Sequence, residues 1–205
     1  MNSMHEQIEK VTNLFLQFGI KSISMDDIAS ELGISKKKLY QTYTDKTELV
    51  EKTITLIKLK IKEIVDEYSK LNMNAIEKEI YHRKKYLKTY LSIKPTFLFD
   101  LRKFYPSIFD DFISFKKLQT VKSCNNLIIE GKKQGLYRED LDPEFISKLS
   151  ITLISSFIHP DLNEISENDL MSKAFSDQFF IYHMNGICTE KGRKIFNDLL
   201  KAELL

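Results

Sequence analysis

Residues 24–43 read SMDDIASELGISKKKLYQTY, and the punctuation of this stretch decides the fold. Ser24 with Asp27 three residues later has the form of a helix N-cap answered by an acidic side chain. Ile28, Ala29 and Leu32 then share one helical face, and Gly33 stands where a chain leaving a helix needs a left-handed residue. Ser35 caps a second short helix, Lys36 to about Thr42, whose apolar residues are Leu39, Tyr40 and Tyr43. Before them, Ile8, Val11, Leu14, Phe15 and Phe18 recur at helical spacing over residues 5–18, and Gly19 closes that helix. A longer helix followed by two short ones joined at a glycine predicts a helix-turn-helix.

The second short helix opens with Lys36, Lys37 and Lys38. Three cations in a first turn oppose the helix dipole, which favours anions there. On any surface a lysine triplet reads as a solvated turn; inside a helix-turn-helix it reads as attraction to phosphate at a helix N-terminus. Gln41 and Thr42 follow as candidate base readers, since Gln pairs with adenine and Thr meets the thymine methyl.

Downstream, Asp45 and Glu48 introduce a long helix over about 45–71. Its apolar residues Val50, Ile54, Ile57, Ile61, Ile64, Tyr68 and Leu71 alternate spacings of four and three. Asn72 to Asn74 breaks it. Further helices are expected at about 75–93, 97–104, 107–133, 143–158, 168–186 and 189–202, with Pro95, Pro106, Pro143 and Pro160 at or between their ends. The expected fold class is all-α: a three-helix head joined by a long helix to a C-terminal helical bundle. The expected domains are a head over 1–48 and a body over 49–205.

The head resembles the DNA-binding head of the tetracycline-repressor (TetR) family over residues 8–54. The resemblance rests on Phe15-x-x-x-Gly19, Ser24-Met25-Asp26-Asp27-Ile28-Ala29, Leu32-Gly33-Ile34-Ser35, and Leu39-Tyr40-x-x-Tyr43-x-x-Lys46-x-x-Leu49, in that order. It implies that Ser24 caps its helix and touches a phosphate. It places Ser35, Lys36, Lys37 and Lys38 at the opening of a recognition helix in the major groove. Tyr40 and Lys46 would contact the DNA backbone, and Tyr43 would pack inside the head. Lys37, Lys38, Thr42 and Thr47 depart from the commonest family residues, which leaves the operator sequence open. The stretch from Leu101–Pro106 to Gly135–Arg138 also resembles the body of a TetR-like subgroup. The implied function is a transcriptional regulator, a repressor that acts as a homodimer on palindromic double-stranded DNA and is released by a small-molecule effector.

Two groups of body residues are candidates for effector and dimer contacts. Tyr86, Tyr90, Phe97, Phe104, Tyr105, Phe109, Phe112 and Phe115 could line a pocket for a flat or greasy molecule, or simply fill the core. Ile151, Ile154, Phe157, Phe179, Phe180 and Ile187, on helices 143–158 and 168–186, exceed what one helix face needs and would form a two-fold four-helix bundle.

Composition narrows the alternatives. The 205 residues carry 42% hydrophobic and 29% charged residues, few Gly and Pro, and a net charge of +2. Residues 1–70 hold 11 Lys, no Arg and 11 acidic residues, so the head is neutral and its affinity would rest on local phosphate contacts. If the dimer neutralises about six phosphates, its salt slope should be near −5. Cys124 and Cys188 stand far apart, with no zinc spacing or disulfide framework, and the N-terminus has no signal-like apolar segment, so a cytoplasmic chain is expected. His5, His82, His159 and His183 form no metal-binding pair, and no glycine-rich phosphate loop or nucleophile elbow is present. Asp100, Asp110 and Asp111 read as solvated residues. No enzyme activity, metal or cofactor is expected. The rival readings are a non-specific helical DNA-binding protein and a helical enzyme or interaction module on the same fold.

Overall fold

The computed structural model describes residues 4–90, 94–158 and 172–204. Ten helices occur among them: α1 Met4–Phe18, α2 Met25–Leu32, α3 Lys36–Thr42, α4 Lys46–Lys70, α5 Ala75–Tyr90, α6 Pro95–Phe104, α7 Pro106–Lys133, α8 Pro143–Ile158, α9 Lys173–Ile187 and α10 Glu190–Leu204. The chain is all-α, as the periodicity requires; the one β-type contact among the described residues is an isolated bridge between Tyr137 and Cys188. Helix α6 begins two residues before the expected boundary, with Pro95 in its first turn, where a missing N–H costs no hydrogen bond. Pro160, His159 and the expected start of the helix at 168 lie outside the described residues.

Packing divides the chain into two compact units. One comprises Met1–Ile64 with Tyr86–Lys116, the other Val65–Lys85 with Lys117–Leu205. Residues 86–116 thus pack in the same unit as the helix-turn-helix.

In the first unit, α1 packs on α2 and α6, and α2 on α3. Val11, Phe15, Ile20, Ile28, Leu39, Tyr43, Leu49 and Val50 are buried at its centre. Gly33 takes φ 65°, and the N–H groups of Gly33 and Ile34 return to the carbonyls of Ser30 and Ala29, the bonding that ends a helix with a left-handed residue. Phe18 departs from its expected inward position: it is 51% exposed, because α1 ends there and its last residue passes the edge of the core.

In the second unit, the N-terminal part of α5, the C-terminal part of α7, and α8 to α10 enclose a core. It includes Ile76, Ile80, Ile128, Tyr137, Met184, Ile187 and Phe196. Asn74 caps α5, accepting from the N–H groups of Ile76 and Glu77, while its own N–H donates to the Glu77 carboxylate. Between α5 and α9, Arg83 donates to Asp177 at 2.7 Å and lies over the Phe180 ring.

Candidate nucleic-acid interface

The site is built on reciprocal caps. Ser24 Oγ accepts from the Asp27 N–H at 3.1 Å, while the Asp27 carboxylate accepts from the Ser24 N–H at 2.7 Å. The Ser24 hydroxyl also donates to the Asp27 carboxylate at 2.7 Å, and this bond, with the one from the Ser24 N–H, holds the Asp27 carboxyl below its usual range. Ser35 Oγ likewise accepts from the Lys38 N–H at 3.2 Å. At the start of α4, Asp45 accepts from the Glu48 N–H at 3.0 Å, and Glu48 accepts from the Thr44 N–H at 2.7 Å. Each cap satisfies N–H groups that a helix start otherwise leaves bare, and so fixes the direction in which each short helix leaves its turn.

Helix α3 anchors itself through Leu39, fully buried, and the C-capping Tyr43, buried with its hydroxyl 3.1 Å from Gln7 Oε1. Its other face is open. Ser35, Lys36, Lys37, Lys38, Tyr40 and Gln41 are all exposed. Lys37 and Lys38 make no ion pair with another described residue. Lys36 differs: its ammonium lies 2.7 Å from Asp26 on α2, and this contact raises its pKa. Asp26 was not legible as a partner, because nothing local in sequence links it to Lys36. Thr42 is half-buried, and its hydroxyl donates to the Lys38 carbonyl at 3.1 Å, which leaves its methyl as the free feature.

Lys46 opens α4 half-buried, with its ammonium 6.0 Å from the centre of the Phe15 ring. Burial lowers its pKa, and repulsion from Lys21 adds to this, while Asp100 and Asp27 pull the other way. Asp100 corrects an expectation. It is only 8% exposed, and its carboxylate accepts from the Lys21 N–H at 2.7 Å, because α6 packs on α1. Asp111 does lie on the surface, paired with Lys58.

The cap-turn-cap arrangement matches a known head. Residues 8–53 fit the family model of bacterial regulatory proteins, tetR family. Over these residues the chain is similar to that family. No curated protein matches the chain in sequence. Solved structures share the fold along nearly the whole length of the chain. A TetR-family transcriptional regulator from Marinobacter aquaeolei is 15% identical, with 98% of each chain covered and a TM-score of 0.73. A transcriptional regulator from Cytophaga hutchinsonii is 19% identical, covering 91% of this chain and 98% of its own, with a TM-score of 0.69. The ketosteroid transcriptional regulator KstR2 of Mycobacterium tuberculosis is 17% identical, covering 93% and 97%, with a TM-score of 0.59.

Outside the TetR-type head, the other candidate residues are distributed unevenly. Phe97, Phe109 and Phe112 are buried in the first unit, Tyr105 and Phe115 are half-buried, and Phe104 is 42% exposed. A cavity of about 270 Å³ lies elsewhere, in the second unit, beside Val65, Asp66, Ser123, Leu127 and Glu130. Ile151, Phe179 and Phe180 are half-buried, and Ile187 is buried in the core of its own unit. The side chains of Tyr86, Tyr90, Ile154 and Phe157 lie outside the described residues. Among the described residues, no group of three or more His, Cys, Asp or Glu could hold a metal ion, and no helix is long and apolar enough to cross a membrane.

Proposed function

We propose that this protein is a sequence-specific DNA-binding transcriptional regulator, a repressor that binds a palindromic operator as a homodimer and leaves it when a small molecule binds the body. The observation that carries the reading is α3. It is a helix of a tetR-family head, fixed by a capped start and a buried Leu39, with Lys37, Lys38, Tyr40 and Gln41 standing outward.

In this reading Ser35 to Lys38 enter the major groove, Gln41 and the Thr42 methyl read base edges, and Ser24, Tyr40 and Lys46 hold phosphates. Lys46 stands half-buried at the start of α4, where its charge and the helix dipole both suit an anion. Two recognition helices about 34–36 Å apart would meet successive turns of DNA. Helices α8 and α9, with Ile151, Ile154, Phe157, Phe179 and Phe180, supply the dimer contact; Ile187 supports α9 from within its own chain.

An effector is supported by two neighbours of the same fold. One is named a ketosteroid regulator, and another, 9% identical with a TM-score of 0.62, a gamma-butyrolactone receptor. The aromatic side chains of residues 97–115 suit a flat, largely apolar effector. Its binding acts by favouring one arrangement of the two heads over another, since a ligand indifferent to both shifts nothing. The near-zero charge of the head argues against sequence-blind coating of DNA, which depends on a strongly basic surface.

The test is selection of bound sequences from a random duplex pool by the purified full-length protein at moderate salt. An enriched palindrome supports the reading; sequence-blind binding, or none, overturns it.

A further inference from the structure

Asp100 lies in the middle of α6, yet its Oδ2 reaches the backbone N–H of Lys21, a residue 79 positions earlier in the chain, at 2.7 Å. That N–H belongs to the turn between α1 and α2. The same oxygen faces Gly19, where an added Cβ would sit 3.0 Å from it and 3.4 Å from Thr96 Cβ. Gly19 adopts φ 83°, and its N–H closes α1 on the Phe15 carbonyl. Two further contacts join α6 to this corner. The Lys94 N–H approaches the Leu16 carbonyl at 3.3 Å, and the Lys21 ammonium lies 5.0 Å from the centre of the Phe104 ring. Of these, only the Asp100 bond is both short and charge-assisted.

The corner has a function in the DNA reading. The turn runs from Gly19 to Ser24, whose hydroxyl caps α2 and is assigned to a phosphate. Lys46, the second backbone-contact residue, feels Lys21 and Asp100 as neighbouring charges. The Asp100 charge acts on Lys46 against the repulsion from Lys21, and its hydrogen bond fastens the turn that carries Lys21.

Resting on that reading, we propose that Asp100 is a positioning residue for DNA binding: its carboxylate latches the α1–α2 turn through the Lys21 N–H and holds Ser24 and Lys46 in the arrangement that takes operator phosphates. Withdrawing Asp100 weakens the grip on the backbone and leaves base reading by α3 unchanged. The latch therefore sets affinity and not sequence preference.

The experiment compares wild type, Asp100→Ala and Asp100→Asn on the DNA sequence enriched by the wild-type full-length protein. Asp100→Ala removes the acceptor and should weaken binding about tenfold on preferred and mismatched sequences alike, the scale of a lost hydrogen bond to a charged group. Asp100→Asn keeps an acceptor oxygen and should restore binding to within about threefold, the scale of an exchange of charged for neutral acceptor. A second readout needs no variant. If the latch favours DNA, DNA must favour the latch, so hydrogen exchange at the Lys21 amide should slow on operator binding more than exchange at amides within α1. Unchanged affinity in a folded Asp100→Ala protein, an Asparagine variant as weak as the alanine variant, altered sequence preference, or a Lys21 amide indifferent to DNA each overturns the latch. Should the alanine variant fail to fold, the amide measurement decides. Failure of the wild type itself to enrich a sequence overturns the DNA reading and not the latch alone.

Discussion

The Lys36 ammonium and the Asp26 carboxylate lie 2.7 Å apart, linking the first turn of α3 to the helix before it. Both side chains are well exposed, so the pair adds little to stability. On the proposed DNA-binding reading its effect is on DNA, because one of the three lysines at the start of α3 is shared with a protein carboxylate. Asp26→Asn should raise affinity for any duplex by about two- to fivefold, the scale of an exposed pair. It should also steepen the dependence of log affinity on log salt by about one. A titration over several salt concentrations checks this, and an unchanged slope would show that Lys36 meets no phosphate even when released.

The remaining exposed residues of α3 should separate by chemistry. Lys37→Ala and Lys38→Ala are expected to weaken binding uniformly across sequences and lower the salt slope by about one each where a phosphate is contacted. Gln41→Ala should instead relax preference at one base position, at a cost of about 1–3 kcal/mol on the preferred site. Repeating the random-pool selection with each variant distinguishes the two patterns. A Gln41 variant with wild-type preference would remove that residue from base reading.

The caps should be measurable without DNA. Ser24→Ala removes two side-chain hydrogen bonds, in which Oγ accepts from the Asp27 N–H and donates to the Asp27 carboxylate, and Ser35→Ala removes one. Each should cost about 1 kcal/mol, with the Ser24 change the larger. Urea unfolding followed by helical circular dichroism would report it, and a Ser35 loss exceeding the Ser24 loss would contradict the assignment of the two caps.

The second unit carries a pH effect that is hidden by opposition. On α5, burial pushes Glu79 up to about 7 and His82 down to about 4, from ordinary values of 4.5 and 6.5. Between about pH 4.5 and 7, folded Glu79 keeps a proton that the unfolded chain has lost, so its contribution falls as pH rises. Between about pH 4 and 6.5, unfolded His82 holds a proton that the folded chain lacks, so its contribution rises. The slopes oppose each other over the shared window. Glu79→Gln should therefore unmask stability that climbs with pH up to about 6.5, and His183, also lowered by burial, adds to the climb. Denaturant midpoints across this range test it; a flat profile in the variant would refute the assigned shifts.

Gly131 on α7 is a closely enclosed position in that unit. A Cβ there would lie 2.1 Å from Cδ2 of Tyr137, whose ring is fully buried and whose hydroxyl points at the Ala75 carbonyl at 3.4 Å. Gly131→Ala should displace the ring and cost about 3 kcal/mol, at the upper end for overpacking. A melting temperature within a degree or so of wild type would mean that Tyr137 relocates freely, against its enclosure in the core.

Local chemistry was written plainly in the chain. Ser24 with Asp27, Ser35 ahead of three lysines, and Gly33 between two apolar stretches each act within a few residues, so helix starts and stops could be read one turn at a time. The 3.6-residue period likewise located ten helices to within a few residues. Inward Leu39 followed from the same phase, whereas Tyr40, apolar in the same reading, stands 47% exposed.

What tertiary packing decided are the partners. Asp26 and Asp100 look alike in sequence, acidic residues on short helices, yet one holds a lysine of α3 and the other is buried against the backbone of Lys21. Among the aromatics of residues 97–115, Phe97 and Phe112 are core while Phe104 stays exposed. Periodicity says which residues share a helix face. It does not say which face meets another helix, because that depends on crossings between segments dozens of residues apart. Those crossings turn a solvated carboxylate into a latch.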